Sequence, residues 1–447
     1  MDAARTMMVD VTGAGSDTAS VAEVRRARRS PSAFSPIVVT PTFNHAGSLI
    51  DVLERLDRLD LPIIVVNDGS TDDTARRLAE WTSTKRRVPV QVVSHARNRG
   101  KADALRTAFQ AAKEGGYTHA VTIDSDGQHL PEDIPKLLAA ARARPGALVI
   151  GARALDLRHC PRSNVLGWWV TALGIWLETG RRVLDNQCGL RVYPLRLFDV
   201  VRGRASRFGL ESELVTRAAW AGCPIVETPV ACYYPPAGER ISHLKLHRDP
   251  VMQFLMHAGL TIRRLIPWPH RTLHDPNAAT HEAHPAPSGW DWLNPLVLWR
   301  NLRKDRFEQL LIAAAMGIGS FMSAMPLNGW QILLGVYASK RLRLHLIPTL
   351  FGALLCLTPI GEFQRASAIA IGYSLFHLSW PDMNVLNPDR VGHWTLLANI
   401  PVAWGFGSVA VGFLSNWIVI PTLVHLFKLI PVHAESEAVA AKGAACT

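Results

Sequence analysis

The chain has 447 residues, 48% apolar and 19% charged, with 48 Lys and Arg against 37 Asp and Glu for a net charge of +11. This balance excludes intrinsic disorder, collagen and a coiled coil as the overall class, and it favours anionic partners such as phosphates or lipid headgroups. The length allows about three domains, or two with one of them in a membrane. Six cysteines (160, 188, 223, 232, 356 and 446) include no CxxC pair, so neither a disulfide framework nor a zinc site is read, and the soluble part belongs in a reducing compartment.

Residues 1–34 read as a basic polar tail. Arg25, Arg26, Arg28 and Arg29 are followed by no apolar core of a secretory signal. The expectation is a solvated tail, with contact to anionic lipid as the alternative. From Pro36 onward, apolar runs at 37–40, 63–66, 90–93 and 120–123 predict strands, and 47–59, 74–81 and 102–113 predict helices. Such alternation implies an α/β fold with a mainly parallel sheet covered on both faces. Ligands bind such sheets beyond the carboxyl ends of the strands. Trp168, Trp169 and Trp176 sit on an apolar helical stretch that either meets lipid or packs on the sheet. Residues 251–266 form an apolar helix ending in Arg263 and Arg264, suited to the membrane interface or to docking on the domain.

Residues 267–293 read as a linker, with five prolines and four histidines between 267 and 289. Residues 309–339 and 391–427 are then uncharged for 31 and 37 positions, and a bilayer core needs only about 20. Two shorter stretches, 344–361 and 366–381, flank Glu362 and Arg365. The reading for 294–430 is an all-α membrane domain of three to four segments, followed by a polar tail over 431–447. Arg300, Arg303, Lys304 and Arg306 precede the first span and place that side in the cytoplasm, although Lys340, Arg341 and Arg343 leave the loop order open. Gln331, Glu362 and Arg365 suggest a path for a lipid substrate; glycines at 317, 319, 329, 335 and 352 equally suit close helix packing.

The chemistry lies at the strand ends. In Ile123-Asp124-Ser125-Asp126-Gly127-Gln128, side-chain alternation would turn Asp124, Asp126 and Gln128 to one side. Such oxygens hold Mg²⁺ or Mn²⁺ on a diphosphate; the alternative is a plain Asp-Gly turn. Asp68, in Asn67-Asp68-Gly69-Ser70, can accept an N–H from a nucleobase. Pro41, Thr42 and Asn44 end the first strand. Asn98-Arg99-Gly100-Lys101 brings cations and a permissive glycine near phosphate.

Taken together, PTFN, NDGSTDDT, NRGKADAL and DSDGQHLPEDIP resemble the family-2 nucleotide-sugar glycosyltransferases, in the branch of polyprenyl- and dolichyl-phosphate sugar transferases. GAR (151–153), DNQCGLRVY (185–193), FGLESELV (208–215) and ERISHLK (239–245) extend the resemblance over residues 35–266. It implies a glycosyltransferase-A-type fold. Asp68 would read the base of a UDP- or GDP-linked sugar, with Asp124, Asp126 and Gln128 on the metal. Arg153 and Arg191 would lie near phosphate, and Asp185 and Gln187 would shape the acceptor side. Arg240, Ser242 and Lys245 would lie on a loop that covers the site and binds an acceptor phosphate. Asn67 and His45 depart from the acids frequent at these places. Residues 294–380 resemble, more loosely, a bacterial membrane domain family, domain of unknown function 2062.

The implied activity is inverting transfer to a lipid acceptor, polyprenyl phosphate first, at the cytoplasmic face of a bacterial inner membrane. Transfer to a lipid hydroxyl would require a general base, for which Glu211 and Glu213 are the candidates; both also suit a helix start. A non-catalytic sugar-nucleotide sensor attached to a lipid-handling domain is the reading from another class. The missing GxGxxG excludes a dehydrogenase, and nothing but net charge favours nucleic acid. The oligomeric state is open, a homo-oligomer included.

Overall fold

The structure is a computed structural model describing residues 8–10, 34–153, 162–183, 185–207, 209–233, 249–273, 294–325, 330–377, 393–427 and 429–430. The chain divides into two compact units, Met1–Glu282 and Ala283–Thr447.

In the first unit the expected alternation is present. The strands are β1 (Met8–Asp10), β2 (Pro36–Thr42), β3 (Ile63–Asn67), β4 (Val90–Ser94), β5 (His119–Thr122), β6 (Leu148–Arg153), β7 (Arg191–Pro194) and β8 (Ile225–Val230). They form one sheet in the order β1-β4-β3-β2-β5-β7-β6-β8. Pairs β2–β3, β2–β5, β3–β4 and β6–β8 are parallel. β7 runs antiparallel to both β5 and β6, and β1 is antiparallel to β4. The tail expected to be solvated therefore supplies an edge strand. The central β3 is buried at every position, which is why its sequence is continuously apolar rather than alternating.

Helices α1 (Leu49–Asp57), α2 (Thr74–Ser83), α3 (Lys101–Glu114), α4 (Ile134–Ala143), α5 (Arg162–Thr179), α6 (Gly209–Trp220) and α7 (Asp249–Leu265) complete the unit. In α1, Leu49, Val52, Leu53 and Leu56 are buried at helical spacing, each contributing about 1.5–3 kcal/mol of burial. Helix α3 buries mostly alanines, so it lies close against the sheet and brings its first residue, Lys101, to the strand ends.

A buried carboxylate ties three helices together. Glu178 of α5 is fully buried; it accepts a hydrogen bond from Thr216 of α6 and lies 2.5 Å from Nδ1 of His257 on α7. Burial raises the Glu178 pKa, against the opposing pull of His257 and Thr216. On the outward side of α7, Val251, Phe254, Leu255 and Ile262 are exposed.

The second unit is helical: α8 (Pro295–Leu302), α9 (Arg306–Ala324), α10 (Trp330–Leu342), α11 (Leu346–Leu354), α12 (Pro359–His377) and α13 (His393–Phe427). Among the described residues, Arg306–Ala324 and Gly405–Phe427 are long and apolar enough to cross a membrane. Leu346–Leu354 and Pro359–Gly372, bent by 70°, make a third if the pair is one span. Among the described residues this gives two or three of the expected three to four segments. A Cβ on Gly319 would lie 2.0 Å from the Thr349 carbonyl oxygen, and one on Gly352 would lie 2.3 Å from that of Met316, so these glycines serve close packing of α9 on α11. Gln331 is buried and donates to the Met325 carbonyl at 3.4 Å; the side chains of Glu362 and Arg365 lie outside the described residues. Gln364 instead joins Ser320, Ser323 and Ser415 in a hydrogen-bonded cluster across α9, α12 and α13.

Gly69, just after β3, has φ +67°, and a Cβ there would sit 2.4 Å from the Arg97 backbone carbon; Gly116 has φ +75° with open space around it. Both positions strain an L-residue, but only the first adds a backbone clash. Gly69→Ala is expected to cost about 1–3 kcal/mol and Gly116→Ala less, measured as a larger drop in thermal midpoint for the former.

Candidate active site

The strand ends converge at the carboxyl edge of β2, β3 and β5. β5 stops at Thr122, so Asp124 and Asp126 lie in the turn beyond it, and strand alternation does not orient them. The turn does so: Asp126 accepts the Gln128 backbone N–H at 3.0 Å. The Asp-Gly turn weighed against a metal site is therefore present, and it leaves the carboxylates at the same edge. Gly189, beside this turn, has no room for a side chain, since a Cβ would lie 2.3 Å from Asp124 Oδ2.

Lys101 is the centre of the arrangement. Its Nζ lies 2.7 Å from Asp124 Oδ1 and 3.0 Å from Glu211 Oε2. Burial alone would lower the Lys101 pKa, but Asp124 and Glu211 overcome it and raise it. Burial likewise opposes ionisation of Asp124, and Lys101 holds its pKa below the ordinary value. Lys101 thus joins the metal motif to α6, whereas the sequence suggested only a cation near phosphate.

Asp68 behaves differently from expectation. Its carboxylate is buried and turned into the protein, accepting the backbone N–H groups of Arg99 at 3.0 Å and Gly100 at 2.7 Å. His95 Nδ1 lies 2.6 Å away, and the other ring nitrogen is 3.0 Å from Thr107 Oγ1. The carboxylate fixes the Arg99-Gly100 turn in front of Lys101. Asn44, at φ 55°, accepts the Thr71 N–H through its side-chain oxygen at 2.8 Å and donates its backbone N–H to Ser70 Oγ at 3.1 Å. The first two loops are thereby joined. Pro41 and Thr42 close β2; the Thr42 hydroxyl is buried with no hydrogen-bond partner among the described residues.

Arg191 also departs from expectation. It is fully buried, and its guanidinium donates to the carbonyls of Cys188 at 2.6 Å, Asn186 at 2.5 Å and Glu211 at 2.8 Å, and to Tyr193 Oη at 3.2 Å. It pins the 186–190 loop to α6. Arg153 pairs with Asp185 through two side-chain bonds of 2.7 and 2.9 Å. Asp185 is buried by this pair, and Gln187 beside it is exposed.

The two glutamates separate. Glu211 faces Lys101, whereas Glu213 accepts the backbone N–H groups of Arg204 and Ala205 at 2.5 and 2.6 Å and pairs with Arg217 at 2.6 Å. Glu213 therefore holds the 203–207 loop and is removed from the general-base candidates. His129 is buried, and burial lowers its pKa to about 4. Its Nε2 accepts the Gly189 N–H at 3.3 Å, so the neutral ring supports the loop behind Asp124. Cys188 is buried and its thiol pKa is pushed up by that burial, as suits packing rather than nucleophilic attack. Arg240, Ser242 and Lys245 lie outside the described residues. His95 and the Lys101–Glu211 pair escaped the sequence reading because their partners are distant in the chain; position at a strand end was the one signal available.

Asp124, Asp126 and Gln128 offer hard oxygen donors of the kind Mg²⁺ or Mn²⁺ takes. Among the described residues, no group of three or more His, Cys, Asp and Glu side chains could hold a metal ion. The set is an open group of oxygen donors rather than a closed protein cage. Arg191→Met is expected to cost about 3–5 kcal/mol by leaving buried carbonyls unpaired. Glu213→Gln should cost less, and a denaturation series of both variants tests the order.

Comparison with known proteins follows the same residues. The family described as glycosyl transferase family 2 matches residues 37–200. The undecaprenyl-phosphate mannosyltransferase of Micrococcus luteus is 31% identical over 205 residues, covering 43% of this chain and 82% of that protein. The UDP-N-acetylglucosamine–dolichyl-phosphate N-acetylglucosaminyltransferase of Methanococcus voltae is 27% identical over 213 residues, 44% and 85% of the two chains. Among solved structures, glucosyl-3-phosphoglycerate synthase of Mycobacterium tuberculosis, in complex with Mn²⁺ and UDP-glucose, aligns over 54% of this chain and 83% of its own at 21% identity, with a TM-score of 0.37. The sheet with its flanking helices is of the glycosyltransferase-A type, and the chain belongs to glycosyl transferase family 2.

Proposed function

We propose that this glycosyltransferase moves a sugar from a UDP- or GDP-linked donor to polyprenyl phosphate, with inversion, at the cytoplasmic face of a bacterial inner membrane. The observation that carries the reading is the Lys101 bridge between Asp124 and Glu211, at the edge where the donor diphosphate of such a fold would lie. The lipid phosphates in the names of the two relatives support the acceptor class. The cluster Arg300, Arg303, Lys304 and Arg306, before the first apolar helix, supports the cytoplasmic side.

In this reading residues 35–266 are the transferase domain, 267–293 the linker and 294–430 the membrane domain, related to domain of unknown function 2062. Thr42 and the Asn44 loop border the nucleotide. Gly100 lets the backbone approach the phosphates, while Lys101 keeps Asp124 ionised and placed. Asp124, Asp126 and Gln128 would hold Mg²⁺ or Mn²⁺, which when bound neutralises charge developing on the leaving diphosphate. Arg153, positioned by Asp185, stands beside the acceptor side together with Gln187, and Arg240, Ser242 and Lys245 on the covering loop would meet the acceptor phosphate. That phosphate is already anionic, with a second pKa of about 6, so attack needs no general base.

A second reading, transfer to a lipid hydroxyl, is supported by the place of Glu211 beside the same lysine; Glu211 would then take the proton. Both readings are tested by following a labelled sugar from a donor panel into the lipid fraction of membranes containing the protein. The expected product is metal-dependent and released by mild acid. Its formation should fall about 100-fold or more in Asp126→Ala, since several kcal/mol of charge stabilisation is lost. An acid-stable product lost in Glu211→Gln would favour the hydroxyl acceptor. Donor binding without turnover across the panel would replace both readings with a sensor.

A further inference from the structure

A cavity of about 650 Å³ lies within the first unit, bounded by the 204–207 loop, α6 and α7. Four arginines line it, Arg204, Arg207, Arg217 and Arg263, against two carboxylates, Glu213 and Asp249. Two of the arginines are neutralised in place: Arg207 pairs with Asp249 at 2.9 Å and Arg217 with Glu213 at 2.6 Å. The other two have no carboxylate partner among the described residues. Arg263 donates through Nη2 to the carbonyls of Trp268 and Pro269 at 3.2 and 3.3 Å, while its Nη1 is buried with no hydrogen-bond partner among the described residues. A guanidinium nitrogen buried and unpaired costs stability unless an acceptor reaches it, and a phosphate oxygen is the natural acceptor.

The remaining wall is apolar. Met252, Met256 and Leu260 of α7 face the cavity, and flexible methionines adapt to chains of varied shape. Gly259 also lines it, and a Cβ built there meets nothing within 4 Å. Leu255, exposed on the same helix, lines it as well. The cavity adjoins the Gly100 turn through Arg207, whose Cγ would lie 3.6 Å from a Cβ on Gly100, but it takes a different side of α6 from the Lys101 pair. Glu213 is one of its walls and Glu211 faces Lys101, and residues two apart on a helix do not share a face.

We infer that this cavity binds a phosphate-headed lipid, its phosphate at Arg204 and Arg263 and the start of its chain against α7. The inference stands on the cavity alone and does not depend on which sugar or acceptor the transferase uses. The same chemistry is offered by the polyprenyl phosphate and by an anionic phospholipid of the surrounding membrane.

The test uses the full chain in a neutral maltoside detergent with dodecyl phosphate as the probe. Saturable binding is expected, weakened about tenfold or more by Arg204→Gln/Arg263→Gln and by Gly259→Leu. The latter fills the cavity while favouring the helix, so its thermal midpoint should not fall. Displacement by polyprenyl phosphate alone would name the acceptor lipid as the occupant, and displacement by phosphatidylglycerol would name the membrane lipid; either supports the site. Equal binding by wild type and both variants would overturn it. So would displacement by inorganic phosphate at the concentration of the probe, or loss of binding in Asp126→Ala, which would assign the probe to the reacting centre.

Discussion

A single ammonium group buried between two carboxylates organises the catalytic unit. Lys101 touches both Asp124 and Glu211, and each neighbour exists where it does because of another constraint. The lysine begins α3, whose small alanines let the helix lie close to the sheet, and the turn before it is held by Asp68. Glu211 is placed by α6, whose first turn is bonded to Arg191. Removing the lysine would leave two carboxylates facing each other in a poorly solvated place, an arrangement that shifts protonation rather than persisting. One lysine between two carboxylates thus leaves the unit with a net negative charge before any ligand arrives.

Much of this was legible in the sequence, for a physical reason. Parallel strands buried on both faces must be continuous apolar runs, so Ile63-Ile64-Val65-Val66 and its neighbours declared themselves, and the polar residues after them marked the site. What stayed hidden was direction. Arg191 and Arg153 look alike in a string, yet one is consumed by backbone carbonyls and the other by Asp185. Glu211 and Glu213 are two positions apart and serve opposite faces of one helix. Asp68 followed its strand as expected, but its carboxylate turns inward because two backbone N–H groups from a loop 31 and 32 residues away converge on it. Side-chain direction depends on long-range partners, and a single sequence does not contain them in readable form.

The helical unit was harder to count. Apolar runs show that segments can enter a bilayer, but the bend at Pro359 and the glycine contacts between α9 and α11 decide whether two helices make one span or two. The Gln364 cluster illustrates the same limit. Its amide is satisfied by three serines from neighbouring helices, a packing role that the residue's place in the string does not announce.

The bond between Glu178 and His257 fastens α7 by a means that does not rely on apolar contact. Helix α7 turns an apolar side outward, and an apolar solvent competes with exactly the kind of contact that holds most helices to a domain. Hydrocarbon offers nothing to a carboxylate or an imidazole. A helix fastened by a buried polar bond can therefore lie against lipid without being dissolved away from its own domain, and the detergent used to extract such a protein would loosen its greasy contacts before it loosened this one.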